Sequence, residues 1–155
     1  MVKDSSEATE LKFKQQDVKS FCELVINRWQ LMRPNINFSI TVATETKDTI
    51  TQDPRLINAI INLLNNAADA SPNNIKIDIS GELNELVWKI TDFGQGINQQ
   101  LNAKIGKTIH STKEQGMGIG MLLTHATIKN YGGQLTQTPN QPFGTITELR
   151  LPLTA

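Results

Sequence analysis

The sequence predicts an α/β layer structure folded as one domain. Three observations lead there. Apolar residues recur at helical spacing between Val18 and Met32, a capped amphipathic helix follows Asp53-Pro54, and alternating strands flank a turn at Gly81 to Asn84. In the first helix the apolar set is Val18, Phe21, Cys22, Val25, Ile26 and Trp29, and Pro34 ends it. Ile36, Phe38, Ile40 and Val42 alternate as a strand, with a short strand near Thr49–Thr51.

Asp53 supplies a capping carboxylate and Pro54 suits the first helical position, so a helix should run from there to about Ser71, where Pro72 stops it. Ile75, Ile77 and Ile79 alternate, and Leu86 to Thr91 forms the returning strand. Residues 93–115 are polar and glycine-containing, the composition of a long functional loop such as a lid. Gly118 to Tyr131 reads as a helix closed by Gly132-Gly133, and Gln134–Thr138 with Thr145–Leu151 as a last hairpin. The total is three helices and five to seven strands, arranged in layers around one core.

Composition narrows the function classes. A chain of 155 residues can bury a core without disulfides or metal staples. Fifteen basic residues balance fifteen acidic ones, which argues against a nucleic-acid binder. Cys22 is the single cysteine, so no internal disulfide forms, and a buried structural thiol in a reducing compartment is expected. No apolar run approaches the roughly 20 residues of a membrane span. Residues 1–10 are polar and acidic and read as a disordered leader or linker before a domain at 11–155. A cytoplasmic location is expected, open to a parent anchored in a membrane.

The helix after Asp53 carries the first chemical signal. Leu56, Ile57, Ile60, Ile61, Leu63, Leu64, Ala67 and Ala68 fill one broad face. Asn58, Asn62, Asn65, Asn66 and Asp69 fill the other within an arc of about 100°. A merely solvated face favours Lys, Glu and Arg, which are better helix formers than Asn. A stripe of asparagines suits a polar site, because an amide oxygen can ligate a hard cation such as Mg²⁺.

Two glycine segments follow. Thr91-Asp92-Phe93-Gly94-Gln95-Gly96-Ile97 places a carboxylate at a strand end, with glycines that allow a ligand to approach the backbone. Gly116-Met117-Gly118-Ile119-Gly120 opens a helix whose free N–H groups attract anions, phosphate above all. Neither of two common nucleotide patterns fits. Met121 stands where a dinucleotide fingerprint needs glycine, and Leu101 stands where a P-loop ending in Gly106-Lys107-Thr108 needs one.

Taken in order, Asn62-Leu-Leu-Asn-Asn66-Ala-Ala-Asp-Ala-Ser71, Asp92-Phe-Gly-Gln-Gly96 and Gly116-Met-Gly-Ile-Gly120 resemble the three nucleotide-binding boxes of the GHKL ATPase superfamily, and within it the catalytic domain of sensor histidine kinases. The resemblance covers roughly residues 11–153. The stretch from Ile105 to Lys113 is similar to the short lid of redox-responsive kinases of the RegB/PrrB type.

The resemblance implies the Bergerat ATP-binding fold: a two-layer α/β sandwich with a mixed, mainly antiparallel sheet of about five strands covered by three helices. It further implies Mg·ATP as cosubstrate, with Asn66 as the metal ligand and Asn62 on the phosphate side. Asp92 would accept a hydrogen bond from the adenine N6 amino group, and Gly94, Gly96 and Ile97 would shape the base pocket. Gly116, Gly118 and Gly120 would meet the phosphates, Lys113 would reach the terminal one, and Thr145 would help hold adenine through water. Asp69 belongs to the same set by position, although many kinases carry Lys or Arg there, which would shift phosphate neutralisation onto Mg²⁺ and Lys113. The paired lid phenylalanines common in kinases are absent.

His110 and His125 lack the acidic helical setting of a phosphoacceptor. The acceptor is therefore expected on a separate histidine-containing dimerisation domain, with a response regulator served indirectly, a monomeric fragment and a homodimeric parent. Two alternatives share the fold. A chaperone-type or mismatch-repair ATPase would place a general-base glutamate where Asn62 stands. The second is an anti-sigma-factor serine kinase, which would act as a free-standing domain, or an ATP-binding regulatory module that has lost activity.

Overall fold

A computed structural model describes residues 13–71, 73–82, 84–94 and 115–154. Along the chain these form β1 (Gln15–Asp17), α1 (Val18–Met32), β2 (Phe38–Ala43), β3 (Thr49–Thr51) and α2 (Pro54–Ala70). β4 (Ile75–Glu82), β5 (Glu85–Asp92), α3 (Gln115–Asn130), β6 (Gln134–Pro139) and β7 (Thr145–Pro152) complete the order. The main sheet runs β2-β4-β5-β7-β6, parallel only between β2 and β4, and a two-stranded ribbon joins β1 to β3. Three helices and a mixed, mainly antiparallel five-stranded sheet make the two-layer sandwich that the sequence implied.

The register aligns the inward rows. Ile77 faces Ile90, Ile79 faces Trp88, Trp88 faces Leu149, and Leu86 faces Leu151. All of them are buried, together with Phe21, Val25 and Trp29 of α1 and Leu56, Ile57, Ile60, Leu63 and Leu64 of α2. Each large apolar side chain so buried stabilises the fold by about 1.5–3 kcal/mol. The helices lie side by side, α2 packing against both α1 and α3 and against β5. Phe38 at the start of β2 meets Trp29 with ring centroids 5.1 Å apart and a 60° tilt. The rest of β2 is an exposed edge.

Local chemistry sets the helix boundaries. Asp17 caps α1 by accepting from the Ser20 N–H at 3.0 Å, and Asp53 caps α2 by accepting from the Arg55 N–H at 2.9 Å. Past α3 the chain turns at Gly132, with φ 77°, a conformation that suits glycine. Cys22 is buried as expected, and burial first, then Glu23 and Asp17, pushes its thiol up to about 12. No described helix is long and apolar enough to cross a membrane.

Several boundaries move. β2 begins at Phe38 rather than Ile36, and α3 begins at Gln115 and ends at Asn130 rather than running from Gly118 to Tyr131. β1 is an addition, because three polar residues show no alternation to read. The leader at 1–10, and the lid segment from Ile105 to Lys113 with its RegB/PrrB likeness, lie outside the described residues.

The asparagine stripe of α2 includes a structural member. The Trp29 indole N–H donates to Asn65 Oδ1 at 3.1 Å, satisfying a buried donor of α1. Asn65→Ala strands that donor and should lower stability by about 1–3 kcal/mol. Urea unfolding followed by tryptophan fluorescence measures it, and an unchanged midpoint would deny the bond that role.

Candidate functional site

Asp92 sits at the inner end of β5, opposite Ile75 in the register. Its carboxylate is buried, and Oδ1 accepts from the backbone N–H groups of Gly94 and Thr145, each at 3.2 Å. Oδ2 has no partner among the described residues. Burial raises the Asp92 pKa, and the two backbone hydrogen bonds counter that rise without cancelling it. The result is an ionisable acceptor, held by two backbone donors and short of solvent, at the end of β5.

The backbone around it requires glycine at two places. A Cβ on Gly94 would overlap the carbonyl of Ala70 at the end of α2, so this glycine brings the β5 exit against the helix. Gly144 has φ 109°, and a Cβ there would overlap the Asp92 carbonyl. Asn140 donates its side-chain amide to the Asp92 carbonyl at 3.2 Å and its backbone N–H to Gly144 O at 2.9 Å. The turn from Asn140 to Gly144 is thereby laid over Asp92. Neither residue was read from the sequence as part of the site, although the Asn-x-Pro-x-Gly composition signals the turn. Thr145 lies where expected, buried at the start of β7, and its backbone N–H orients Asp92.

Elsewhere in the helical layer, α2 packs against α3. Asn62 donates to Thr124 Oγ1 at 3.4 Å, and Asn66 donates to Met121 Sδ at 2.8 Å. Both asparagines therefore face α3. The amide N–H of Asn66 being used, its Oδ1 has no partner among the described residues, the arrangement a cation ligand needs. Among those residues no cluster of three His, Cys, Asp or Glu could hold a metal. A Mg²⁺ ion at Asn66 would complete its shell with phosphate oxygens and water, which suits its chemistry.

Asn65 and Asp69 turn the other way, Asn65 to Trp29 and Asp69 to Arg33 at 2.6 Å. Asn58 is exposed. The stripe thus divides between the two flanking helices, and only Asn62 and Asn66 meet α3. Gly116, Gly118 and Gly120 lie in the first two turns of α3. Gly96, Ile97 and Lys113 lie outside the described residues.

Residues 51–155 match the family model of the histidine kinase-, DNA gyrase B- and HSP90-like ATPases. That match takes in all three segments and the whole described site. The chain belongs to this family.

Among the relatives of this ATPase domain, sporulation kinase B of Bacillus subtilis is 28% identical over 145 residues, covering 89% of this chain and 34% of that protein. The sensor histidine kinase CitA of Klebsiella pneumoniae is 35% identical over 107 residues, 63% of this chain and 19% of that protein. The chain spans about a third or less of the length of these curated relatives.

A solved catalytic domain of histidine kinase ThkA superposes with a TM-score of 0.69 at 22% identity, covering 93% of this chain and 99% of that one. A full-length ShkA structure in complex with AMPPNP gives 0.69 at 16% identity, covering 93% of this chain and 32% of that one. The fold is that of the ATP-binding catalytic domain of sensor histidine kinases, and the ATPase family places ATP binding in it.

Two substitutions separate structure from ligand contact in this domain. Asp92 has a folded pKa above its unfolded value, so it stabilises the fold below the unfolded pKa, and that contribution is lost as pH rises through the folded pKa. At neutral pH Asp92→Asn should therefore melt at the wild-type temperature or above while losing ATP binding; calorimetry and thermal melts measure both, and a variant that still binds ATP would remove Asp92 from the site. Gly120 has nothing within 4 Å of an added Cβ. Gly120→Ala should stabilise α3 by up to about 1 kcal/mol and still weaken ATP binding. Unchanged affinity in that variant would mean that the phosphates do not approach Gly120.

Proposed function

We propose that this domain transfers the γ-phosphoryl group of Mg·ATP to a histidine on a separate dimerisation domain, from which a response regulator is then served. The observation that carries the reading is a pair of side-chain oxygens, Asp92 Oδ2 and Asn66 Oδ1, that have no partner among the described residues while their other polar atoms are engaged. Asp92 Oδ2 offers a fixed carboxylate oxygen, which attracts the N6 amino group of adenine and repels the carbonyl of guanine. Asn66 Oδ1 offers an amide oxygen for the cation that accompanies the phosphates. The described pieces would accordingly bind and orient the nucleotide: Asn62 and Asn66 beside the phosphates, the glycines of α3 against them, Gly94 and Thr145 around the base through Asp92. Gly96 and Ile97 would close the base pocket, and Lys113 would stabilise the terminal phosphate as a mobile point charge.

Asn62 favours a kinase over an ATP-driven machine of the chaperone kind. An amide one turn before the metal asparagine is a poor proton acceptor for an attacking water. Here the amide N–H is already engaged with Thr124. Positioning and charge stabilisation are then the protein's main contributions to phosphoryl transfer, and the acceptor histidine must be brought in line by another domain. We propose a monomeric catalytic fragment working beside a homodimeric hairpin, in the cytoplasm.

The chain alone should bind ATP in preference to GTP, hydrolyse it very slowly, and leave itself unlabelled by radioactive phosphate. Supplied with a panel of histidine-containing hairpin domains, it should label one of them in an acid-labile form, and Lys113→Ala should reduce that labelling. Asn66→Ala should weaken Mg·ATP binding and spare metal-free nucleotide. Brisk turnover by the chain alone would move it to the chaperone-type ATPases, and stable labelling of His110 or His125 would make it a complete autokinase.

A further inference from the structure

Asp69 is a negative charge one turn beyond Asn66 on the helix that would receive the most anionic part of the nucleotide. Residues three apart on a helix are neighbours, with Cβ atoms roughly 5–6 Å apart. An unpaired carboxylate at that position would oppose polyphosphate binding. It is not unpaired. Arg33, just past the end of α1, donates from Nη2 to Asp69 Oδ1 at 2.6 Å across 36 residues of sequence. Arg33 lies before residue 51, where the family match begins.

The direction of the pair matters as much as its charge. Asn62 and Asn66 reach toward α3, whereas Asn65 and Asp69 reach toward α1. The guanidinium draws the Asp69 carboxylate to the α1 side of the stripe, opposite the side on which Asn66 meets α3. The Arg33 backbone is anchored at the end of α1, its N–H donating to Trp29 O at 2.9 Å. At 30% and 48% side-chain exposure the pair is half-open to water, and such pairs add little to stability. A neutralised Asp69 next to an anion site is the larger effect available to it.

We propose that Arg33 is a positioning residue for ATP: it turns and neutralises Asp69, so that the α2 stripe accepts a polyphosphate. This rests on the nucleotide reading above and names what that reading needs from outside the family-matched segment. The charge of Arg33 acts on the phosphates through Asp69 and leaves the base and ribose untouched.

Calorimetry on this chain tests it, with Mg·ATP and with adenosine as ligands, at low and high salt. Arg33→Ala should weaken Mg·ATP binding about fivefold and leave adenosine binding unchanged. The loss should shrink at high salt. Asp69→Asn should bind Mg·ATP as well as wild type or better, the double variant should match Asp69→Asn, and Arg33→Lys should keep most of the affinity. The proposal is overturned if Arg33→Ala binds Mg·ATP like wild type, or if the double variant stays as weak as Arg33→Ala. A parallel fall in adenosine affinity would show a structural role instead and would equally overturn it. A wild-type chain that binds neither ligand would defeat the nucleotide reading itself, an outcome distinct from failure of the Arg33 variants.

Discussion

Everything in this domain is arranged around what α2 must do with two incompatible surfaces. Its apolar face is pressed on the sheet and sealed by α1 and α3, which commits Leu56, Ile57, Ile60, Leu63 and Leu64 to the core. A helix so deeply embedded has only a narrow strip left, and that strip is filled with amides rather than long charged chains. Short amides can satisfy neighbours on either side. Trp29 takes one from the α1 side, and Thr124 and Met121 take two from the α3 side. The same helix end supports the second feature of the site, since Gly94 docks on the Ala70 carbonyl.

Asp92 shows how a buried charge is made tolerable without being neutralised. Two backbone N–H groups, one from the next turn and one from the neighbouring strand, hold one oxygen. Desolvation still dominates, so the carboxylate is kept at some cost to stability. A buried ionisable group retained against that cost marks a place where recognition chemistry is found. The Asn140–Gly144 turn completes the cradle by covering the Asp92 carbonyl, and it does so with backbone that only a glycine can supply at residue 144.

Much of the architecture was legible because its signals are periodic. The apolar positions of α1 and α2, the alternation of β4 and the cap at Asp53 all reappear as buried faces and a capped start. The order of the three glycine and asparagine segments was legible as well. What resisted reading was contact between distant segments. A helical wheel places Asn58, Asn62, Asn65, Asn66 and Asp69 on one arc, but cannot say which helix stands on each side of it. On the wheel alone Asn65 is equivalent to Asn66, which the family resemblance set apart, and the partner of Asp69 was hidden 36 residues away. β1 escaped because its residues are polar and its pairing to β3 is set by the fold around it. Gly144 escaped because a turn signature says nothing about which carbonyl lies beneath it.

The first turns of α3 hold Gly116, Gly118 and Gly120 within a helix that begins at Gln115. Each glycine makes a helix interior less favourable by about 0.8–1.0 kcal/mol relative to alanine. Three in so short a span leave this end of α3 dependent on something other than its own propensity. An anion at the free N–H groups would supply that support, so forming the helix start and holding the ligand are parts of one equilibrium. Part of the free energy of such binding would then go into ordering the backbone, which would weaken the affinity. The same coupling would let departure of an anion loosen the helix end, so that a ligand held there would leave readily.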